Sequence, residues 1–290
     1  MIRVEFPCQC NNSIATYSTT LAQYQQAIAA LDQEVHFDCA KVCFFRPFGL
    51  NLLATLLYDV IRRDRCSILY DPPTDPDALR YLEDQGFFSE FQISGKSIRR
   101  VGRSTSVQLR RLEGFDGSYF ESITNWLYVN TTSLSKDAIQ SVVTVSLAEL
   151  VNNVIDHSQS EIGCYICAQY YPREESLRFS VVDLGVGILA TLKDRHAGLK
   201  NSAQAISLAV QQGVSGKPPG RNIGAGLWLL TDFLKQFGAL EIISSDGEWR
   251  QGTRGIRNVS SLPFQFPGTC INMNINNRAL ARFQEWEKLR

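Results

Sequence analysis

The segment Asp183-Leu-Gly185-Val-Gly187 constrains the fold of this chain more than any other feature of the sequence. Leu177, Phe179 and Val181 precede it and alternate with polar residues, which is the period of one face of a β-strand. A carboxylate is therefore predicted at the point where a strand gives way to a glycine turn. Glycines in such a turn let the backbone come close to a ligand.

A second polar group lies on a predicted helix. Apolar residues recur at helical spacing between Val143 and Val154. Steps of four residues place Glu149, Asn153 and His157 along one stripe of that helix. An acid, an amide and an imidazole are therefore expected on the same helix face.

Two further signatures follow along the chain. The run Gly220-Arg221-Asn222-Ile-Gly224-Ala-Gly226-Leu227 opens a helical pattern that reaches Phe237 and is closed by Gly238. A glycine-rich entry to a helix N-terminus is favourable for phosphate. Gly268-Thr269 precedes an alternating apolar run over 271–275, which presents a hydroxyl at the start of a late strand.

In this order the four signatures resemble the N, G1, G2 and final boxes of the GHKL ATPases, the Bergerat-fold family of gyrases and histidine kinases. The resemblance covers about residues 135–278, which is about half the chain. It implies an α+β fold with a C-terminal two-layer α/β sandwich that binds ATP and Mg²⁺.

The same resemblance implies a role for each matching residue. Asp183 would accept a hydrogen bond from the adenine amino group, and Gly185 and Gly187 would let the backbone approach the base. Asn153 would complete the oxygen shell of Mg²⁺ together with phosphate oxygens and water. Glu149 would be the general base, one helical turn away.

The phosphates would be held in part by a lid over about residues 189–222. The nucleotide-binding residues implied there and beside it are Lys217, Arg221, Gly224, Gly226, Leu227 and Thr269. His157 is open to two interpretations, a residue near the phosphates or a hydrogen-bonded histidine at a helix end.

Two other nucleotide motifs fit the sequence less well. Gly185–Ala190 matches the Rossmann glycine pattern, but the region 203–210, where that fold needs a second strand, has a helical pattern. Gly213–Pro218 looks superficially like a P-loop, but it lacks the four-residue spacing and the Ser or Thr after the lysine.

The N-terminal third alternates strands with helices, which predicts a small α/β domain. The predicted strands are Ile2–Phe6, Val35–Phe45 and Cys66–Tyr70, and the predicted helices are Leu21–Leu31, Gly49–Arg62 and Asp77–Gln85. Residues 33–91 resemble a STAS domain, and any other small α/β domain is the alternative. Arg46, Pro47 and Phe48 stand where that family carries a phosphoacceptor, so this domain would be degenerate.

The predicted organisation is a STAS-like domain over 1–93, a basic linker and connecting segment over 94–132, an ATP-binding domain over 133–278 and a helix over 279–290. An edge strand is expected at Val107–Leu112 within the connecting segment. The chain has 290 residues and a net charge of +0, so its charge balance does not demand nucleic acid. The sequence predicts a cytoplasmic protein without a membrane span or a signal peptide.

The chain has eight cysteines, most of them in apolar runs typical of core thiols. Cys164 and Cys167 have metal-like spacing, but a strand pattern predicts that their thiols point to opposite faces. Cys8-Gln-Cys10 is the pair expected to be open to oxidation.

Three functions follow from these patterns. The first is an ATPase or serine/threonine protein kinase that resembles anti-sigma-factor kinases and acts on a protein partner, which could be STAS-like. The alternative is a nucleotide-gated interaction module with little or no turnover. A nucleic-acid-handling ATPase is the third, although no transducer domain follows the last signature. Relatives of this kind are commonly homodimers.

Overall fold

The structure is a computed structural model that describes residues 1–30, 33–93, 103–131, 134–214 and 226–288. Helices and strands are mixed along the chain, which confirms the prediction of an α+β protein. Within these residues the strands form sheets of three, five and two strands.

The N-terminal part is built on a parallel sheet of strand order β1-β3-β5. Its elements are β1 (Ile2–Glu5), β2 (Gln9–Cys10), α1 (Ser18–Ala29), β3 (Glu34–Asp38), β4 (Phe44–Phe45), α2 (Pro47–Arg63), β5 (Ser67–Asp71), α3 (Pro76–Asp84) and α4 (Phe87–Glu90). β2 and β4 form a separate two-stranded parallel ladder. The strands predicted near Ile2 and Cys66 and the three predicted helices are confirmed.

The strand predicted over Val35–Phe45 is wrong in its length, because the chain turns after Asp38. Asp38 Oδ1 accepts a hydrogen bond from the Ala40 N–H at 2.8 Å, which closes an Asx turn. The chain therefore leaves the three-stranded sheet at this point, and β4 pairs with β2 instead.

The larger sheet is antiparallel throughout and has the strand order β6-β7-β8-β10-β9. Its strands are β6 (Ser106–Leu112), β7 (Cys164–Tyr171), β8 (Ser176–Asp183), β9 (Gly238–Gly252) and β10 (Gly255–Asn276). β6 confirms the edge strand expected at Val107–Leu112. The segment 94–132 thus contributes a strand to the larger sheet.

Helices cover one face of this sheet. These helices include α5 (Gly117–Asn130), α6 (Lys136–Ile139), α7 (Val145–Asn153) and α10 (Gly226–Phe237). Two more helices, α8 (Gly187–Lys193) and α9 (Ser202–Ala209), follow β8 in the chain, and α11 (Phe283–Glu287) is the last described helix. A π-helical turn at Gln140–Thr144 joins α6 to α7, and a second at Val154–Ser158 continues α7, which makes one helical stretch, the 136–158 helix. Side chains of the 136–158 helix, α5 and α10 pack with Ile166, Phe179 and Met273 of the sheet in one core.

Helix α2 lies against the opposite face of the larger sheet. Its buried side chains point in all directions around the helix axis, and they include Phe48, Leu50, Leu52, Leu53, Leu56, Leu57 and Val60. Because residues on every side of α2 are buried, the helix is covered on all sides. N-terminal residues share one core with Tyr165, Cys167, Val182 and Cys270 of the larger sheet. Both faces of the five-stranded sheet are therefore covered, one by its own helices and one by the N-terminal part.

Two polar contacts fix α2 against this sheet. The buried Asn51 side chain donates from Nδ2 to the backbone oxygen of Ser180 at 2.6 Å and to that of Tyr165 at 3.3 Å. At the start of the helix, the Arg46 guanidinium donates to both carboxylate oxygens of Glu174, at 2.8 and 3.3 Å. It also lies over the ring of Tyr171, with Cζ 4.3 Å from the ring centroid. These contacts bind the N-terminal part to β7, to β8 and to the turn between them.

The cysteine prediction for β7 is confirmed. Cys164 packs in the core on the helical face, whereas Cys167 packs in the core around α2. Both side chains are fully buried, and burial raises the pKa of both thiols. These two residues are packing residues on opposite faces of one strand.

Within the described residues, one helix, Lys136–Asp156, is long and apolar enough to cross a membrane by length and composition. This finding differs from the expectation that no stretch would qualify. Leu147, Leu150 and Val151 of this helix are buried against the sheet. The helix therefore packs as a core helix of the folded protein.

Candidate functional site

Asp183 is the last residue of β8 and lies in the middle of the larger sheet. Its Cα is paired with that of Cys164 in β7 and with that of Thr269 in β10. Only 3% of the residue is exposed. The strand-end carboxylate predicted from the sequence is thus present, and it is enclosed by protein.

Burial raises the pKa of the Asp183 carboxyl from 3.8 to about 7. Backbone N–H groups of Gly185 and Thr269 donate to the carboxyl and act in the opposite direction, toward a lower pKa. The Gly185 N–H lies 2.7 Å from Oδ1. A carboxyl that changes charge near neutral pH inside a protein is a common property of functional sites.

The glycine turn after Asp183 is packed against the end of the 136–158 helix. The Val186 N–H donates to the backbone oxygen of Ser158 at 2.7 Å. A Cβ atom on Gly185 would lie only 2.2 Å from that same oxygen, so a larger residue would separate the turn from the helix. Gly187 has a φ of +79°, a conformation that side-chain-bearing residues rarely adopt. Both glycines are required by the local geometry.

Ser244 joins the turn to the neighbouring strands. Its hydroxyl accepts a hydrogen bond from the Ile188 N–H at 2.9 Å and lies 3.1 Å from the Thr269 hydroxyl. Thr269 is therefore close to Asp183 through the strand register and close to the start of α8 through Ser244. The sequence patterns did not single out Ser158 or Ser244, because each contacts the turn only through long-range packing.

Glu149 and Asn153 lie on the helix whose end touches this turn. Asn153 lies five residues and Glu149 nine residues before Ser158 along this helix. Asn153 is exposed and Glu149 is half-buried. The two residues are four positions apart in one helical run, as the sequence predicted. The side chain of His157 lies outside the described part of the structure.

The remaining predicted residues fall near the start of α10. Lys217, Arg221 and Gly224 lie outside the described residues. Gly226 is the first residue of α10, and the half-buried Leu227 packs against the core of the larger sheet. Of the lid expected over 189–222, the described part contains most of α8 and all of α9, and α9 packs on β9.

The described arrangement brings several polar groups together at the end of the sheet. It offers a buried carboxylate acceptor, the hydroxyl of Thr269 and a turn of small residues. An amide and a second carboxylate follow along the adjoining helix. Within the described residues, no three His, Cys, Asp or Glu side chains converge on a metal position. A comparison of the sequence with models of known protein families and with curated proteins returned no match.

Proposed function

We propose that this chain binds Mg²⁺-ATP at the Asp183 end of the five-stranded sheet, in the manner of the GHKL ATPases. The proposal rests on one region of the structure in which four parts of the chain meet. There a buried carboxylate, the glycine turn after it, the Thr269 strand and the helix bearing Glu149 and Asn153 come together. The antiparallel sheet and its own helices over one face support a Bergerat-type sandwich, and the N-terminal part covers the other face.

Asp183 is the base-reading residue in this proposal. In its ionised form the carboxylate accepts a hydrogen bond from the adenine amino group, and a guanine carbonyl at the same place would repel it. Gly185 and Gly187 let the turn after the carboxylate pack closely against Ser158 and Ser244, because a Cβ on either glycine would collide there. Because the pKa of Asp183 is raised by burial to about 7, the accepting form is dominant only above neutral pH.

Asn153 and Glu149 would serve the phosphate end of the same ligand. The exposed Asn153 amide is an oxygen ligand of the kind that Mg²⁺ takes alongside phosphate oxygens and water. Glu149, four residues earlier, would orient a water molecule or a partner hydroxyl and receive its proton. Lys217, Arg221, Gly224 and Gly226 are proposed to hold the phosphates.

The reaction proposed is transfer of the γ-phosphoryl group to water or to a serine or threonine of a protein partner. The N-terminal part is not a good acceptor at the position where a STAS domain would carry one. Arg46 is bonded there to Glu174, and Phe48 is fully buried. The partner would therefore be another protein, and a separate STAS-like protein is the first candidate.

Glu149→Ala tests this function. The variant should keep its affinity for Mg²⁺-ATP and lose phosphate release and phosphoprotein formation by at least about 100-fold, the usual contribution of a general base. Glu121→Ala, which removes an exposed carboxylate on α5, is the matched control and should behave as wild type. Equal turnover in both variants would remove Glu149 from the mechanism.

The same assay separates the two functional classes. Binding with turnover supports the ATPase or kinase. Binding by the wild-type protein without phosphate release or phosphoprotein would favour the nucleotide-gated interaction module.

A further inference from the structure

Cys8 and Cys43 lie side by side on the N-terminal part, far apart in sequence. Each directly precedes one strand of the parallel ladder, in which Gln9 is paired with Phe44. The Cys43 N–H donates to the backbone oxygen of Cys8 at 2.8 Å, and the Cys43 thiol lies 3.2 Å from the same oxygen. The two cysteines are therefore cross-strand neighbours.

Their separation suits a disulfide. Neighbouring strands lie about 4.8 Å apart, and disulfides bridge Cα atoms separated by about 4.4–6.8 Å. A hydrogen bond with the Cys8 thiol is the main reason that the pKa of Cys43 is raised. The Cys43 side chain thus lies next to Cys8 while both cysteines are reduced.

Exposure separates this pair from the other cysteines. Cys8 is exposed and Cys43 is half-buried. The remaining buried thiols are those of Cys10, Cys39, Cys164, Cys167 and Cys270. Cys66 is half-buried, and its thiol is directed at the backbone oxygen of Ala30 at 4.0 Å. Of the pair that the sequence led us to expect as open to oxidation, Cys8 is exposed and Cys10 is fully buried.

We propose that Cys8 and Cys43 form a reversible dithiol–disulfide site that is oxidised by hydrogen peroxide. The sulfur of Cys8, as thiolate, attacks one peroxide oxygen, the O–O bond breaks, and the departing hydroxide takes a proton to become water. The sulfur of Cys43, as thiolate, then attacks the Cys8 sulfenic acid, the S–O bond breaks, and a second water leaves. Two thiols lose two electrons and two protons, and one peroxide becomes two water molecules.

The position of the pair connects it to the rest of the molecule. β4 continues through Arg46 into α2, the helix that packs on β7 and β8. Cys43 also lines a cleft of about 680 Å³ between α3 and the end of β7, together with Phe44, Tyr81 and Tyr171. A disulfide would tie the start of β4 to the start of β2 at the rim of this cleft.

The test is oxidation of the full-length reduced protein with a small excess of hydrogen peroxide. Free thiols are then alkylated, and the digested protein is analysed by fragmentation mass spectrometry. We expect a cross-linked peptide that joins Cys8 to Cys43, lacks two hydrogen atoms and is lost on treatment with dithiothreitol. Cys66→Ser, the half-buried control, should give the same cross-link in the same yield.

A second variant keeps the result interpretable. In Cys43→Ser, the Cys8 sulfenic acid has lost its resolving thiol, so a dimedone adduct at Cys8 should appear that the wild-type protein lacks. Recovery of Cys8 and Cys43 as alkylated free thiols after peroxide would overturn the proposal. A cross-link from Cys8 to Cys10, or from Cys8 to a second molecule, would overturn it as well.

Discussion

Asp183→Asn should remove a large part of the pH dependence of stability between about pH 4 and pH 7. Burial raises the pKa of this carboxyl from 3.8 to about 7, so the folded protein holds the proton more tightly than the unfolded chain. The resulting stabilisation is complete below about pH 4 and is lost as the pH rises through about 7. A shift of about three units at about 1.4 kcal/mol per unit gives about 4 kcal/mol lost over that window.

Asparagine has nearly the same shape and carries no charge. Its Oδ1 can still accept the hydrogen bond from the Gly185 N–H. Its Nδ2, however, cannot accept a bond from the Thr269 N–H, at a cost of about 1–3 kcal/mol. At about pH 8 the variant avoids the loss of about 4 kcal/mol, so its free energy of unfolding should be about 1–3 kcal/mol higher than that of wild type. At about pH 4 only the lost hydrogen bond counts, so its free energy of unfolding should be lower than that of wild type.

The assay is urea denaturation of both proteins without nucleotide, at several pH values from about 4 to about 8. Asp77→Asn is the control, because that side chain is 90% exposed, and its curve should run parallel to that of wild type. If the free energy of unfolding of Asp183→Asn also runs parallel to wild type over this range, the carboxyl does not titrate near neutral pH. The reasoning from burial would then be refuted.

Two further substitutions test the packing around the site. Gly185→Ala places a Cβ 2.2 Å from the Ser158 oxygen, so it should destabilise the fold by about 1–3 kcal/mol and weaken ATP binding. Gly114→Ala, where a Cβ enters open space, is the control and should change neither. Asn51→Ala removes both hydrogen bonds from α2 to the larger sheet. The free energy of unfolding should fall by about 1–3 kcal/mol, and the variant should still unfold in a single transition. Gln26→Ala, on the exposed face of α1, is the control. Two separate transitions in the Asn51 variant would show that the two sheets unfold independently.

Local patterns predicted the strand end at Asp183 and the glycine turn after it better than the placement of the N-terminal part. The turn after Asp183 follows from strand alternation and glycine spacing, which act over a few residues. The position of α2 between two sheets was not predicted, although a signal was present. The stretch from Leu50 to Leu57 carries no charged residue on any side of the helix, and such a helix is covered on all sides.

Long-range pairing explains the errors. The run Val35–Phe45 has the composition of one strand, and only the Asp38 side chain, which bonds the Ala40 N–H, marks the turn within it. Cys8 and Cys43 become neighbours through the ladder between β2 and β4, and no pattern within either segment specifies that pairing. Asp116, which accepts a bond from the Tyr119 N–H, is a helix-start signal that could have predicted α5.

Asp183 is the residue on which the proposed nucleotide site most depends, because it reads the base. Calorimetric titration with Mg²⁺-ATP at about pH 8, on wild type and on Asp183→Asn, tests this directly. We expect saturable binding by wild type, weaker binding at about pH 6 where the carboxyl is largely protonated, and no measurable binding by the variant. Tight binding of ATP by Asp183→Asn, or no binding by wild type at about pH 8, would contradict the proposed nucleotide site.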